Sequence, residues 1–120
     1  MPGAFTPTCS DHHLPGFVVR AEDFDKKGVA RVACVAVNDA FVMDAWGKSR
    51  NVGNSVLMLA DGNGDFAKAM GFDRDATPNG MGVRSQRYAA VIEDGVITHL
   101  AVESAPGLNV SSADAILGVL

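Results

Sequence analysis

The sequence predicts an α/β fold. Three observations carry that reading. Helix and strand signals alternate from residue 10 to Gly71, the first two strands are apolar runs too continuous for a half-exposed sheet, and the C-terminal part reads as a hairpin followed by a helix.

Residues 10–27 read as a helix, with Leu14, Phe17, Val18, Ala21 and Phe24 spaced by three or four on one face. Pro15-Gly16 interrupts that spacing and predicts a kink or an irregular first turn, and Gly28 ends the helix. Residues 29–37, rich in Val and Ala, read as a buried strand. Asn38 or Asp39 can cap the next helix, which runs to about Ser49. Residues 55–60 form a second buried strand, and 61–64 (Asp-Gly-Asn-Gly) a turn. A short helix over 65–70 is ended by Gly71. Residues 73–82 have no apolar period and read as a loop. Residues 87–93 and 96–102 are two strands around Asp94-Gly95, a strong hairpin signal. Ser111 or Ser112 can cap a final helix over 113–120. The predicted order is α-β-α-β-α-β-β-α.

A chain of 120 residues, 48% of them hydrophobic, reads as one domain over 1–120 with a modest core. The net charge of −4 argues against a nucleic-acid partner, which would need clustered Lys and Arg. No apolar run approaches the roughly 20 residues that span a bilayer, and no charged-then-apolar leader opens the chain. The two cysteines form neither a Cys-x-x-Cys pair nor a disulfide framework. A reducing, cytoplasmic setting is the expectation.

The most informative stretch is Pro2-Gly-Ala-Phe-Thr-Pro-Thr-Cys-Ser10. It sets Cys9 after a tight Pro/Gly entry and at the start of a helix, where unpaired N–H groups and a partial positive charge favour a thiolate. Thr6, three residues earlier, brings a hydroxyl within reach. A buried, unreactive thiol is the commonest fate of a cysteine, so the context of Cys9 is what makes it a candidate nucleophile.

This stretch, continued by His13-Leu-Pro-Gly-Phe17, resembles the active-site segment of the peroxiredoxins, in particular the peroxiredoxin-five subfamily of plant type II and bacterial proteins. Val37-Asn-Asp-Ala-Phe-Val-Met43 with Trp46, Leu59-Ala-Asp-Gly62, and Arg87-Tyr88 before Val91-Ile-Glu-Asp-Gly95 extend the likeness along essentially the whole chain. The resemblance implies a thioredoxin-like fold, a three-layer α-β-α domain. Met1 falls directly on the active-site loop, so the expectation is a domain truncated at its N-terminus, with the opening strands missing. The resemblance further implies that Cys9 is the peroxidatic cysteine of a thiol-dependent peroxidase acting on hydrogen peroxide and alkyl hydroperoxides, passing through a sulfenic acid. Breaking the O–O bond puts charge on the departing oxygen, so donors must face it. Thr6 and the backbone N–H groups of Thr8 and Cys9 are candidates, and Pro2 shields the thiolate from water. Among Arg20, Arg31, Arg50, Arg74, Arg84 and Arg87, Arg87 stands where the family carries its active-site arginine, with Arg84 as competitor.

Cys34 lies within the apolar strand over 29–37 and reads as an inert packed thiol, since a disulfide needs Cα atoms about 4.4–6.8 Å apart. Some subfamily members resolve the sulfenic acid through a cysteine after a Gly-Leu pair. Here Val110 stands in that place after Gly107-Leu108, so the expectation is no resolving cysteine and a cycle closed by an external thiol, either glutathione with glutaredoxin or thioredoxin. His12, His13 and His99 lack metal-site spacing, and residues 61–72 depart from a calcium loop at Phe66 and Phe72. No metal, haem or flavin is expected, because Cys9 carries the redox change. His13 is expected to pack or hydrogen-bond beside the active-site helix. Phe41, Met43 and Trp46 read as core, with any exposed member available to a homodimer interface. Two alternatives stay open: a non-catalytic fragment of such an enzyme, and a redox sensor that signals through the sulfenic acid.

Overall fold

The structure, a computed structural model, describes residues 1–120. The first helical stretch opens at residue 7, passes through a wide π-helical turn at Cys9–His13, and continues as α1 (Leu14–Val19) and α2 (Ala21–Lys26). Pro15 accounts for the wide turn. It has no N–H for the carbonyl of Asp11, and its ring would crowd that carbonyl in a regular α-turn. The chain widens instead, so that the N–H of Leu14 bonds to the carbonyl of Cys9 five residues back. The predicted irregularity therefore lies ahead of Pro15. The helix also starts earlier than residue 10 and breaks once more at Arg20 (φ −94°, ψ 12°). Gly28, at φ +84°, follows its end.

Strand β1 (Ala33–Ala36) pairs in parallel with β2 (Leu57–Ala60), Cys34 opposite Met58. Both are shorter than the apolar runs that predicted them, because composition sets the tendency to extend while a regular ladder exists only where a partner strand runs alongside. Helix α3 (Ala40–Ser49) starts at Asp39, whose Oδ1 accepts the N–H of Val42 at 2.8 Å. Of the two candidate caps, the other, Asn38, has a different task described below. Helix α4 (Asp65–Met70) is held at its start by Asp61, which accepts from Phe66 and Ala67 N–H, and ends at Gly71 in the left-handed region.

The expected loop over 73–82 needs correction. Strand β3 (Asp73–Asp75) and β4 (Val83–Ser85) form an antiparallel pair around a 3₁₀ turn at Thr77–Asn79. All three β3 residues are exposed, so this ladder rests on main-chain bonds and leaves no apolar period in the sequence. Strands β5 (Tyr88–Glu93) and β6 (Val96–Val102) form the predicted hairpin, with Asp94 (φ 51°) and Gly95 (φ 78°) both left-handed, as its two-residue turn requires. Helix α5 (Ala113–Leu117) is capped by Ser112, whose Oγ accepts from Ala115 N–H at 3.1 Å, and is shorter than the predicted 113–120.

The strands thus make three two-stranded sheets. Two buried clusters join them to the helices. One gathers Cys9, Leu14, Cys34, Ala36, Met43 and Trp46; the other gathers Phe24, Ala101, Ala113 and Ile116. Phe17 and Val32 pack against both and so tie them together. Trp46 and Met43 are core, as expected, whereas Phe41 is 87% exposed. No helix is long and apolar enough to cross a membrane.

Candidate active site

Cys9 sits in the first turn of the long helical stretch and is fully buried, a free thiol. The N–H groups of Thr8 and Cys9 belong to that first turn, where the helix itself supplies no acceptor. The loop before it is folded tightly. Thr6 donates both its N–H (3.4 Å) and its hydroxyl (2.6 Å) to the carbonyl of Gly3, so the hydroxyl oxygen keeps its lone pairs free as acceptors. Phe5 adopts φ +62°, a left-handed conformation rare for a bulky residue and a form of strain that concentrates at functional sites. Asn38, at the end of the β1 segment, accepts the N–H of Ala4 at 2.9 Å and anchors the loop to the sheet. From the other side the Nη1 of Arg84 presses against Gly3, where an added Cβ would stand 2.9 Å from it and 3.1 Å from Thr6 Cγ2. Pro2 lies half-buried in the same loop.

Arg87 lies just before β5. Its Nη1 donates to Nδ1 of His13 at 3.0 Å, and Nε2 of His13 donates to the carbonyl of Ser111 at 2.8 Å. Burial pushes the pKa of His13 down from its ordinary 6.5 to about 4, and the Arg87 cation adds to that, outweighing the Ser111 bond, which favours the charged form. The ring is therefore neutral at neutral pH. Glu103, just past β6, gathers the N–H groups of Asn109, Val110 and Ser111 and the Ser111 hydroxyl on one oxygen. Burial pushes its carboxyl up, but those bonds outweigh it and hold the group below its usual range. Next to Cys9, the buried Ser10 accepts through Oγ from Nε1 of the buried Trp46 at 3.0 Å.

Of the remaining arginines, Arg20 pairs with Asp23 and Asp114, and Arg50 with Asp11. Arg84 also donates through Nε to the carbonyl of Met81. Cys34 is buried within β1, its sulfur 3.5 Å from that of Met1, and burial pushes its thiol up to about 11. At neutral pH it is a packed, protonated thiol. No three His, Cys, Asp or Glu side chains converge as a metal site would need.

His13 gives a stability prediction with a definite sign. An unfolded histidine takes up its proton near pH 6.5, the folded one near pH 4. Between those values the unfolded state binds more protons, so stability is full above pH 6.5 and falls as pH falls toward 4. Urea unfolding at pH 7.5 and pH 5 should differ by about 2 kcal/mol from this group alone. In His13→Gln that dependence should flatten; an unchanged slope would mean that His13 is not buried neutral.

Sequence reasoning named Cys9, Thr6, Thr8, Pro2 and Arg87, with Thr6 as a donor; the structure corrects that direction, because the Thr6 hydroxyl hydrogen is taken by Gly3, and it adds Asn38, Ser10 and Glu103, which the sequence did not single out. Their roles rest on contacts across long stretches of chain, and no local pattern announces them.

The comparisons agree with this geometry. The Redoxin family model matches residues 1–117. Peroxiredoxin-2E, chloroplastic, of Arabidopsis thaliana is 47% identical over the whole of this chain, which covers 52% of that protein; the chain spans about half the length of such relatives. Peroxiredoxin-2B of the same plant is also 47% identical, with 74% of its length covered. Among solved structures, reduced Prx3 of Vibrio vulnificus in complex with H2O2 superposes with a TM-score of 0.96 at 52% identity, covering all of this chain and 77% of that one. These neighbours bear out the thioredoxin-like α/β reading. With its cysteine at a helix start, and with matches that run from one end of the chain to the other, the protein belongs to the redoxin family and, within it, to the peroxiredoxins of the type II and peroxiredoxin-five kind.

Proposed function

We propose that this chain reduces hydrogen peroxide and small alkyl hydroperoxides through Cys9. The observation that carries the proposal is a shielded Cys9 in the first turn of a helix, with Arg87 locked onto His13 one turn further along that helix. The Cys9 thiolate attacks the terminal oxygen of the peroxide. An S–O bond forms, the O–O bond breaks, and the departing alkoxide or hydroxide takes a proton from water to leave as alcohol or water. Cys9 is oxidised to the sulfenic acid by two electrons and the peroxide is reduced by the same two. The N–H groups of Thr8 and Cys9 and the Arg87 guanidinium are the donors for the charge that develops. The Thr6 hydroxyl, whose hydrogen is committed to Gly3, accepts the hydrogen of the peroxide O–H. Pro2 closes the pocket against water. The H2O2 complex of the Vibrio vulnificus relative supports the choice of substrate.

A first external thiol then forms a mixed disulfide with Cys9 and releases water, and a second frees the Cys9 thiol as a disulfide of the two. Glutathione with glutaredoxin, or thioredoxin, are the reductants of the right chemistry. The protonated state of Cys34 and the presence of Val110 after Gly107-Leu108 favour this one-cysteine cycle. The exposed Phe41 is the surface that suits a homodimer.

The test is one equivalent of peroxide followed by mass spectrometry, with Trp46 fluorescence as the rapid readout, since Trp46 bonds to the residue next to Cys9. The expected product is a Cys9 sulfenic acid, or its mixed disulfide when glutathione is present. Cys34→Ser should retain most turnover. A dominant Cys9–Cys34 peptide pair, together with loss of turnover in Cys34→Ser, would overturn the one-cysteine cycle, and an unoxidised Cys9 would overturn the peroxidase reading itself.

A further inference from the structure

The turn that carries Cys9 is weakly held by its own helix. No side chain caps the helix start ahead of it. Pro15 has no N–H for the Asp11 carbonyl, and the turn over Cys9–His13 is π-helical rather than regular. Uncapped helix starts are among the first parts of a folded protein to open. The ties that hold this turn to the body of the protein come instead from the two side chains that follow Cys9, and both reach α3. Ser10 Oγ accepts Trp46 Nε1–H at 3.0 Å, and Asp11 pairs with Arg50, the C-cap of α3, at 3.5 Å. The two ties differ in weight. The Asp11–Arg50 pair is open to water and screened by salt, and such pairs contribute little. Ser10 is 2% exposed and Trp46 0%, so neither partner finds water when the bond breaks. Trp46 is itself packed in the larger buried cluster. The buried bond therefore pins an uncapped turn to a rigid helix.

We infer that the Ser10–Trp46 bond is the latch of the Cys9 turn and sets the size of the reagent that reaches the sulfur. The inference rests on the peroxidase reading above. Cys9 is 0% exposed, yet its cycle needs reagents of very unlike size. Hydrogen peroxide is little larger than water and enters a closed pocket. An external thiol carries a tripeptide or a whole protein behind its sulfur, and it must approach opposite the S–O bond that breaks. With the latch closed, a second peroxide has the advantage over the thiol. The sulfenate attacks it, another S–O bond forms, the O–O bond breaks, and water leaves once the departing hydroxide takes a proton. Cys9 is then oxidised by two more electrons to the sulfinic acid. With the latch open, the external thiolate attacks the sulfenic sulfur. An S–S bond forms, the S–O bond breaks, and the hydroxide takes a proton and leaves as water. Ser10 and Trp46 act through the turn and not on the peroxide, so they are positioning residues.

Two substitutions remove the bond from its two ends. Ser10→Ala deletes the acceptor and a single heavy atom; Trp46→Phe deletes the donor. Alkylation of reduced Cys9 is followed by mass spectrometry, at a pH where Cys9 is fully thiolate in every variant. Iodoacetamide should react about three- to tenfold faster in Ser10→Ala, the scale of one lost buried hydrogen bond. A bulky maleimide should gain more than iodoacetamide, because only the open turn admits it. The double variant should match the single ones, since the same bond is lost once. Hydrogen exchange should quicken at the amides of residues 10–13 and stay unchanged in α5, which separates an opened latch from a loosened core. After one equivalent of peroxide, glutathione should capture the sulfenic acid faster in Ser10→Ala, and the sulfinic fraction in excess peroxide should fall. Ser10→Ala carries the test where Trp46→Phe fails to fold. Equal alkylation in wild type and Ser10→Ala, or slower capture by glutathione, would overturn the inference. Faster alkylation in Ser10→Ala, with no sulfenic acid formed from peroxide in the wild type, would keep the latch and bring down the peroxidase reading.

Discussion

Cys9→Ser should abolish peroxide consumption and leave a folded protein. The substitution changes one atom. A serine hydroxyl holds no accessible anion near neutral pH, and the S–O bond that receives the peroxide oxygen cannot form. The donors around the site survive, but they have no attacking atom to serve. Because Cys9 is fully buried in the larger apolar cluster, the new hydroxyl also has to find a partner there, at a cost of about 1–3 kcal/mol if it does not. Circular dichroism and thermal melting should therefore accompany the assay, so that lost chemistry is told apart from lost structure. Turnover well above the buffer rate in a folded Cys9→Ser protein would move the reaction to Cys34. That thiol is pushed up to about 11 by burial, so the expected residual rate is negligible.

Much of this arrangement is legible along the chain, and the illegible parts share a physical cause. Helices α3 and α4 and the β5–β6 hairpin are readable because local residues decide them: Asp39 as cap, Gly71 as stop, Asp94-Gly95 as turn. The β3–β4 pair is not, because its exposed Asp-Arg-Asp strand carries no apolar alternation. The wide turn at Cys9–His13 is half-readable. Pro15 announces an irregularity but not which side of it absorbs the strain. The site divides the same way. Thr6 and Cys9 are neighbours in sequence and visible as a motif. The bonds of His13 reach Arg87 across 74 positions and Ser111 across 98, so nothing near His13 tells where its two nitrogens point. Ser111 itself is readable only as one of two possible caps. Ser112 takes that role, and the fold turns Ser111 inward to Glu103 and His13.

Arg87→Ala should slow the oxidation of Cys9 by roughly 10²–10³-fold, the cost of removing one well-aimed donor from developing negative charge, or about 2.7–4 kcal/mol. The departing oxygen loses a donor. A second effect falls on stability. Nδ1 of His13, buried with no other donor, is left unpaired at about 1–3 kcal/mol, so the melting temperature should drop as well. Arg87→Lys distinguishes charge from geometry. It keeps a cation but only a single point of donation, and it should recover part of the rate rather than all of it. Arg84 is the control. Its guanidinium bonds to the Met81 carbonyl and braces the loop at Gly3, so Arg84→Ala should loosen the loop and cost much less in rate. The measurement is the second-order rate of Cys9 oxidation by hydrogen peroxide in all three variants, each followed by Trp46 fluorescence. If Arg84→Ala proves the slowest, the cation that serves Cys9 is the one braced against Gly3, and Arg87 is left as a structural partner of His13.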